Sequence, residues 1–521
     1  MRYGFVIDQD TCIGCHACTV ACKTEHDVPL GVNRTWVKYI ERGTWPDTSR
    51  FFSVMRCNHC TSAPCVTICP TRALFKRDDG IVDFDTSRCI GCKSCMQACP
   101  YDAIYIDPGD HTAQKCNYCV HRIEVGLEPA CVVVCPEQAI VAGDLDDARS
   151  RISRIVANGR VASRAPEQGT SPNVFYKGAD AASLDPLAAT SLNGGGIWRD
   201  GGSPASDWLA VDLTGDGKAG NDDERATSAG EAPRVVYTTD HPAPWGWRVS
   251  TYFLTKGIAA GVVLALAVAM LAGGEFDTGW TQWGAPLIAT IFLAITGALL
   301  VADLKRPGRF HYLLTKANPR SWLVIGAWIL TAYAIVLGLW LVAGIAGVDG
   351  VLTAIVWTAA PLAIATAGYT AFLFGQAEGR DLWQSPMLLW HMIAGAFAVG
   401  GGATLVADLF VSIETVASEA AAWTLIGGTS ALGLIALSES FSRHPTRNIA
   451  AAVHHLTRGK WEGQWWVGGL IVGVEIPILL TAMTLAGGSE GFAAVAGLAA
   501  AAGLWLADDA FVQAGQGVPL S

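Results

Sequence analysis

The chain has 521 residues, of which 51% are hydrophobic and only 16% are charged, so it is too apolar to be entirely soluble. Its formal net charge is -10, and it has no stripe of lysine and arginine interleaved with aromatic residues. These features argue against nucleic acid as a partner and indicate that part of the chain lies in a membrane.

The first part of the chain, residues 1–145, contains every cysteine of the sequence. Short segments with β-strand character, at 4–7, 81–84 and 104–106, stand beside the cysteines, so we expect a compact soluble α+β domain of the ferredoxin type. The 16 cysteines form four groups: Cys12, Cys15, Cys18, Cys22; Cys57, Cys60, Cys65, Cys69; Cys89, Cys92, Cys95, Cys99; and Cys116, Cys119, Cys131, Cys135.

The spacing within these groups is typical of iron–sulfur clusters. A C-x₂-C-x₂-C triplet wraps one [4Fe–4S] cubane, while the fourth cysteine of the group ligates a neighbouring cluster. Sixteen thiolates satisfy four such clusters with none left over. Zinc sites also use C-x₂-C pairs, but they bring two pairs together across a spacer. Disulfides would require an exported N-terminus, and no apolar signal segment precedes Cys12.

The second part, residues 146–247, is rich in Gly, Ser, Ala, Asp and Pro, and we expect a long connector without a core of its own. It contains VDLTGDGKAGNDDE, which places Asp212, Thr214, Asp216, Gly217 and Asp223 at the positions of an EF-hand-like calcium loop. Calcium bound by Asp212, Asp216 and Asp223 is one interpretation. An acidic, solvated turn is the alternative, because aspartate replaces the usual glutamate at the last position.

The third part, residues 248–521, is a series of apolar runs long enough to cross a bilayer. Eight spans in this part leave no polar face for solvent, which favours an all-α polytopic membrane domain over a large soluble one. The predicted spans lie at about 250–273, 284–304, 321–346, 351–376, 387–410, 421–440, 465–487 and 491–508.

All lysines and arginines of the third part, twelve in number, fall on the side of the membrane that carries the N-terminus if the eight spans alternate. The opposite loops carry only acidic residues. By the positive-inside rule, the cysteine-rich domain and both termini are expected in the cytoplasm, with the chain in the inner membrane.

At the level of the membrane that faces the cysteine-rich domain, the spans offer a few polar and aromatic side chains. A relay of clusters attached to a membrane domain needs a lipid-soluble electron carrier, which is commonly a quinone. Because Tyr252 and Lys256 stand at i and i+4, they share one helix face and could present a hydroxyl and an ammonium to a quinone carbonyl. Each residue also has an alternative interpretation. Lys256 could extend its ammonium to the membrane surface, Tyr252 and Trp247 could belong to an aromatic belt, and His391 could bond a carbonyl group of a neighbouring helix. The candidate quinone residues are Trp247, Tyr252, Lys256, Asp303, His391 and Glu439.

The order and spacing of the four cysteine groups resemble the four-cluster iron–sulfur subunits of the molybdopterin oxidoreductase complexes, such as polysulfide and dimethyl sulfoxide reductases. The resemblance implies that the first group pairs with the fourth and the second with the third. The implied ligand sets are Cys12, Cys15, Cys18 with Cys135; Cys116, Cys119, Cys131 with Cys22; Cys89, Cys92, Cys95 with Cys69; and Cys57, Cys60, Cys65 with Cys99.

The third part resembles the NrfD/PsrC family of quinone-reactive membrane anchors, through DLKRPGRFHYLL after the second span and HHLTRGKWEGQWW before the seventh. These two parts are commonly separate chains, so a fusion is implied.

Clusters with four cysteine ligands have no open coordination site, so this domain is expected to carry electrons and not to convert a substrate. We expect it to connect a separate catalytic subunit, of the molybdopterin type by resemblance, with membrane quinone, either menaquinone or ubiquinone. The alternative is a proton- or ion-translocating subunit driven by redox chemistry. Glu475, a carboxylate inside the seventh span, would suit such proton handling.

Overall fold

A computed structural model describes residues 1–191, 233–274 and 279–521. The amino-terminal part of the described chain is built from short strands and helices around the cysteines. Its strands are β1 (Tyr3–Asp8), β2 (Thr35–Thr44), β3 (Asp47–Arg56), β4 (Leu74–Lys76), β5 (Val82–Phe84), β6 (Ile104–Ile106), β7 (Ala113–Lys115), β8 (Ile140–Asp144), β9 (Val161–Ala162), β10 (Val174–Lys177), β11 (Thr190–Ser191) and β12 (Arg234–Tyr237).

Two four-stranded sheets and two small hairpins organise this part. The first sheet has the order β8-β1-β10-β9, in which β1 runs antiparallel to β8 and parallel to β10. The second has the order β11-β12-β2-β3, built on the long antiparallel pair of β2 and β3. The hairpins β4–β5 and β6–β7 stand beside the second and third cysteine groups. The three short strands predicted from the sequence correspond to β1, β5 and β6, whereas β2 and β3 were not predicted.

The segment expected to be a connector, 146–247, differs from that expectation in its described portions. Val174 of β10 pairs with Phe5 of β1, and Val235 of β12 pairs with Ile40 of β2. The helix Arg151–Ala157 packs on the first sheet through Ile152, which is fully buried. Because these strands complete sheets that begin before residue 60, a boundary at 145 would cut through both sheets. The calcium loop predicted at Asp212, Asp216 and Asp223 lies outside the described residues.

Short helices follow the cysteine loops and fix the directions of the thiols. In both the first and the third group the loop contains a glycine at φ 69°, Gly14 and Gly91. A left-handed residue then opens the helix in each case, His16 at φ 60° and Lys93 at φ 65°. The two triplets therefore share one local conformation. The short α-helices of this part are Ala17–Glu25, Pro64–Ile68, Ser94–Ala98, Val120–Ile123, Ala130–Val133, Arg151–Ala157 and Ala181–Leu184.

The carboxy-terminal part contains eight helices that are long and apolar enough to cross a membrane, as the sequence predicted. They are Trp247–Leu271, Trp280–Ala302, Trp322–Ile345, Gly350–Gly375, Met387–Asp408, Thr415–Phe441, Gln464–Leu485 and Glu490–Gly517, numbered here as the first to eighth spans. Shorter helices connect them at Tyr312–Thr315 and Arg447–Thr457. The second and seventh spans begin as π-helix, at Trp280–Gly284 and Gln464–Glu475.

The eighth span extends nine residues beyond its predicted end at 508, because Asp508 and Asp509 are paired within the protein. Asp508 contacts His391, and Asp509 accepts a hydrogen bond of 2.8 Å from Ser250. The sixth span begins earlier than predicted, at Thr415, since Ser418 in its first turn donates to Asp408. Polar residues that find partners thus lengthen both helices.

The first span is the centre of the membrane part and is the most buried of the eight. It crosses the fifth span at a close contact between Gly261 and Gly400, where an added Cβ on either residue would collide with the backbone of the other helix. Small residues at such crossings allow helix backbones to approach closely in a membrane. The contact fixes the spacing between the first and fifth spans.

Candidate functional site

The thiols of the cysteine-rich part surround small cavities in sets of four. One cavity is lined by Cys12, Cys15, Cys18 and Cys135. Another is lined by Cys69, Cys89, Cys92 and Cys95. Each set combines a triplet with the last cysteine of a different group, which is the arrangement that a cubane with a crossing ligand requires.

The remaining eight cysteines are arranged in the same way. Cys22 lies within electrostatic reach of Cys116, Cys119 and Cys131. Cys65 lies near Cys57, Cys60 and Cys99. All eight are buried. Soft thiolate donors in buried sets of four fit iron–sulfur clusters in both their number and their chemistry.

The surroundings of these sulfurs favour a negatively charged group. Backbone N–H groups point at several of them, as from Gly91 and Ala113 to the sulfur of Cys89, at 3.4 and 3.3 Å. Without such a group, burial raises the pKa of the Cys18 thiol to about 11. Metal binding must therefore displace protons from these thiols, and the N–H donors then stabilise the resulting charge.

The second and third cysteine groups lie against the membrane part. The loop between the second and third spans, 303–321, holds their backbone directly. Asn318 donates to the carbonyl oxygen of Cys69 at 2.8 Å, and Arg309 to that of Cys89 at 2.8 Å. The ammonium of Lys93, inside the third group, forms an ion pair of 2.8 Å with Asp303. The cluster site lined by Cys69, Cys89, Cys92 and Cys95 is thereby fixed at the membrane surface.

Aromatic side chains connect this site to the interior of the first span. The indole N–H of Trp245 donates to the carbonyl oxygen of Cys92 at 3.3 Å. The ring of Trp245 packs on Phe374 at 5.2 Å between centroids, and Phe374 packs on Phe253 at 5.3 Å. Phe253 in turn contacts Tyr252 at 4.9 Å. These rings and the inner cysteines belong to one continuous hydrophobic core that crosses the boundary between the two parts.

Lys256 and Tyr252 lie at the inner end of that aromatic series. Both are buried, with exposed fractions of 1% and 5%. The ammonium nitrogen of Lys256 donates to the carbonyl oxygen of Ala367 at 2.9 Å and to the hydroxyl of Thr370. It lies 5.9 Å from the centroid of the Tyr252 ring and 4.9 Å from that of Tyr369. A buried lysine surrounded by aromatic rings is costly to maintain, which marks the position as functional.

A row of ionisable side chains continues from Lys256 through the fifth, sixth and eighth spans. The imidazole of His391 contacts the carboxylate of Asp508, with 2.8 Å between Nε2 and Oδ1. Asp508 acts electrostatically on Lys256, and Glu439 acts on His391. Glu439 also accepts a hydrogen bond of 2.9 Å from Ser385. Such a row can exchange protons with the aqueous side from which these helix ends emerge.

The other candidates of the sequence analysis lie outside this row. Trp247 is 57% exposed and packs against Arg248, so its ring does not face Lys256. Asp303 is paired with Lys93, although it still acts electrostatically on Tyr252. Glu475 has an exposed side chain on the outer face of the seventh span. Asp303 thus joins the two parts of the chain, and Trp247 lies at the surface. The four quinone candidates that lie near one another are Tyr252, Lys256, His391 and Glu439.

Sequence reasoning missed several residues of this region, foremost Asp508, Trp245 and Thr370. Asp508 carried a signal, since a charge that interrupts an apolar run marks a position with a partner in the membrane. Trp245 stands in a proline-rich stretch before the first span, where an indole is typical of an interfacial anchor. Thr370 offers no signal, because threonine is ordinary in membrane helices.

Comparisons with known proteins agree with this geometry. The 4Fe-4S dicluster domain family matches residues 11–74 and again residues 48–145. The family described as polysulphide reductase, NrfD, matches residues 235–518, which is more than half of the chain. The chain therefore contains multiple [4Fe–4S] clusters and a multi-pass membrane part.

Curated relatives match about a third of this chain. A tetrathionate reductase subunit of Salmonella typhimurium is 46% identical over 190 residues, which cover 36% of this chain and 76% of the relative. A polysulfide reductase component of Wolinella succinogenes is 40% identical over 179 residues, covering 33% and 93%. The arsenate respiratory reductase iron–sulfur subunit ArrB of a Shewanella species is 36% identical over 226 residues, covering 34% and 96%. The chain belongs to the polysulphide reductase NrfD family, and it joins that membrane part to an iron–sulfur part similar to these subunits of tetrathionate, polysulfide and arsenate reductases.

Proposed function

We propose that this chain is the electron-transfer and membrane-anchor subunit of a respiratory oxidoreductase complex. It relays electrons through four [4Fe–4S] clusters between a separate catalytic subunit and membrane quinone. The observation that carries the proposal is the continuous packing from the backbone of Cys92 through Trp245, Phe374 and Phe253 to Tyr252. This packed aromatic path is the proposed route by which electrons pass between a cluster site and the buried Tyr252 and Lys256.

The proposed cluster ligands follow from the sets of neighbouring thiols described above. Two sets line cavities, and two are supported by the mutual proximity of their thiols. The order of the sets follows from the thiols that act on one another across them: Cys18 with Cys131, Cys116 with Cys57, and Cys95 with Cys65. From the outer end toward the membrane the sets are Cys12, Cys15, Cys18, Cys135; then Cys22, Cys116, Cys119, Cys131; then Cys57, Cys60, Cys65, Cys99; and finally Cys69, Cys89, Cys92, Cys95. When bound, each cluster accepts and passes on one electron at a time.

The proposed quinone pocket lies between the first, fourth and fifth spans. Tyr252 and Lys256 are the hydrogen-bond donors for the quinone carbonyls, since a hydroxyl and an ammonium both donate to oxygen. Reduction of a quinone takes up two electrons and two protons. His391, Asp508 and Glu439 supply a route for those protons from the membrane surface to the pocket.

The outer end of the cluster series is suited to a catalytic partner. Cys15 is exposed, and apolar side chains beside the first and fourth groups are exposed as well: Ile13 at 55%, Val20 at 61% and Val133 at 58%. Apolar patches of this kind mark protein interaction sites. The resemblance of the four cysteine groups to the iron–sulfur subunits of molybdopterin oxidoreductases makes a molybdopterin-type catalytic subunit the proposed partner.

Orientation is part of the proposal. Lys305, Arg306 and Arg309 contact the iron–sulfur part, which lies on the side of the membrane that carries the cationic loops. By the positive-inside rule this side is the cytoplasm, and the membrane is the inner one. A reporter enzyme fused after Ser521 is expected to be active only in the cytoplasm, and activity confined to the periplasm would contradict this orientation.

The function is tested with the purified full chain in lipid nanodiscs under anaerobic conditions. A water-soluble quinol analogue is expected to bleach the visible absorbance of the clusters, and a quinone-site inhibitor is expected to stop that bleaching. The proposed exchange with quinone would be refuted if dithionite reduced the clusters, but quinol did not reduce them and quinone did not reoxidise them.

A further inference from the structure

Arg56 is a buried cation in the middle of the cysteine-rich part. It ends β3 immediately before Cys57, and its side chain is fully buried. Its Nη1 donates to the sulfur of Cys131 at 3.2 Å, and its guanidinium carbon lies 4.4 Å from the centroid of the Phe5 ring. Its Nε and Nη2 atoms have no hydrogen-bond partner within the described part of the chain.

The groups that act most strongly on the charge of Arg56 are cysteine side chains, and no described carboxylate is among them. The groups that act on it electrostatically are Cys131, Cys116 and Cys18. A guanidinium stays charged in proteins, and a buried charge is costly unless an opposite charge offsets it. A negatively charged cluster between these thiols supplies that opposite charge.

We propose that Arg56 is a positioning residue that raises the reduction potential of the cluster held by Cys22, Cys116, Cys119 and Cys131. This inference rests on the cluster assignment made under the proposed function. Reduction adds one electron and no proton to the cluster, so the reduced form carries one more negative charge. A fixed cation in a low-dielectric interior therefore stabilises the reduced form more than the oxidised one.

The other cluster sites are surrounded by different donors and cations. The sulfurs of Cys135 and Cys69 accept hydrogen bonds from the backbone N–H groups of Ala139 and Leu74, at 3.3 and 3.4 Å, and these are dipoles without net charge. At the membrane-side site Lys93 is paired with Asp303, and Arg309 acts electrostatically on Cys89. Lys115, which is also buried, directs its ammonium at the carbonyl oxygens of Val82 and Cys116 and acts on Cys65.

The charge of Arg56 therefore makes the second site from the outer end more favourable for an electron than the same site without the arginine. That site is next to the outermost cluster, which exchanges electrons with the catalytic partner. A high-potential cluster there holds an electron ready for the partner and slows its return to the quinone pocket. Arg56 would thus bias the series toward the catalytic end without contacting either substrate.

The test is a potentiometric titration of the full, cluster-loaded chain, followed by electron paramagnetic resonance. Arg56→Gln removes the charge and keeps donor groups, while Arg56→Lys keeps the charge. Arg50→Gln is the matched control, because Arg50 lies on the same strand but pairs with Glu41 at the surface. Iron content is measured for each variant so that incomplete loading is recognised.

In Arg56→Gln one midpoint is expected to fall by at least about 59 mV, a tenfold change in the equilibrium constant for one-electron reduction. The midpoint of the outermost cluster, whose ligand Cys18 is also affected by Arg56, should fall by less, and the two midpoints nearer the membrane should stay close to those of the parent chain. All four midpoints in Arg56→Lys and Arg50→Gln are expected to stay close to the parent values. Loss of a single cluster in Arg56→Gln, with full loading of Arg56→Lys, would also support a requirement for the charge.

The inference is overturned if Arg56→Gln leaves all four midpoints unchanged, or if Arg56→Lys shifts or loses a cluster as strongly as Arg56→Gln does. These results are independent of quinone chemistry. Failure of quinol to reduce the clusters, with the predicted shift still present, would contradict the proposed function and leave the role of Arg56 intact.

Discussion

Replacing Lys256 by methionine tests the quinone pocket directly. The substitution keeps the length and apolar stem of the side chain and removes the ammonium that lies between Tyr252 and Tyr369. The ammonium has three N–H donors, of which two are used by Ala367 and Thr370. The third is available to a quinone carbonyl, and Lys256→Met removes it.

The expected effect follows from the worth of that hydrogen bond. A hydrogen bond from a charged donor contributes about 1.5–3 kcal/mol. Since about 1.4 kcal/mol corresponds to a factor of ten in rate, kcat/KM for the quinol analogue should fall roughly 10- to 100-fold. The fold should tolerate the change, because methionine carries no charge that must be buried.

The assay is stopped-flow bleaching of the clusters by the quinol analogue, with dithionite reduction as the measure of intact clusters. Lys460→Met is the matched control, because Lys460 is exposed near the same membrane surface and its ammonium packs over Trp461 at 5.1 Å. We expect the control to match the parent chain. Unchanged quinol kinetics in Lys256→Met, with all clusters loaded, would refute the assignment of this lysine.

Two further predictions concern the join between the parts and the soluble sheets. Lys93→Met or Asp303→Asn alone should lower the free energy of unfolding by about 2–4 kcal/mol, because each leaves one member of a mostly buried ion pair uncompensated. The double variant should recover much of that loss. Thermal unfolding of the three variants checks this, and losses that simply add in the double variant would contradict it. Burial lowers the pKa of Lys38 to about 7, below its unfolded value, so the unfolded state holds more protons between about pH 7 and 10.5 and stability from this group rises with pH over that window. Lys38→Met should therefore stabilise the protein by about 3 kcal/mol more at pH 7 than at pH 9.5. A gain in stability that is the same at both pH values would show that the pKa of Lys38 is not lowered by folding.

The features that a sequence displays locally could be predicted here. The cysteine spacing encodes ligand sets without reference to the rest of the fold, and an apolar run encodes a membrane span by its length alone. The eight spans were found for this reason, with errors at the sixth and eighth, where Ser418 and Asp508 have partners on other helices. A polar residue's partner across the bundle is not visible in its own segment.

Features that depend on distant pairing could not be predicted. β10 is only four residues long, too short to stand out in the sequence, and its pairing with β1 and β9 places it in the first sheet. Tyr252 and Lys256 were recognised because they are four residues apart on one helix. Their neighbours Thr370 and Asp508 come from the fourth and eighth spans, so they became part of the pocket only when the helices were packed together.

The pairing of β12 with β2 has a consequence for the assembly of this protein during synthesis. Arg234 of β12 meets Glu41 of β2 across 193 residues of sequence, and the first span begins at Trp247, shortly after β12 ends at Tyr237. The nine residues between them reach at most about 30 Å when fully extended. The strand that closes the second sheet therefore leaves the ribosome just before the first membrane segment, so loading of the clusters and insertion into the bilayer become neighbouring events on one growing polypeptide. The membrane anchor and its electron carrier are therefore synthesised together and need no encounter by diffusion.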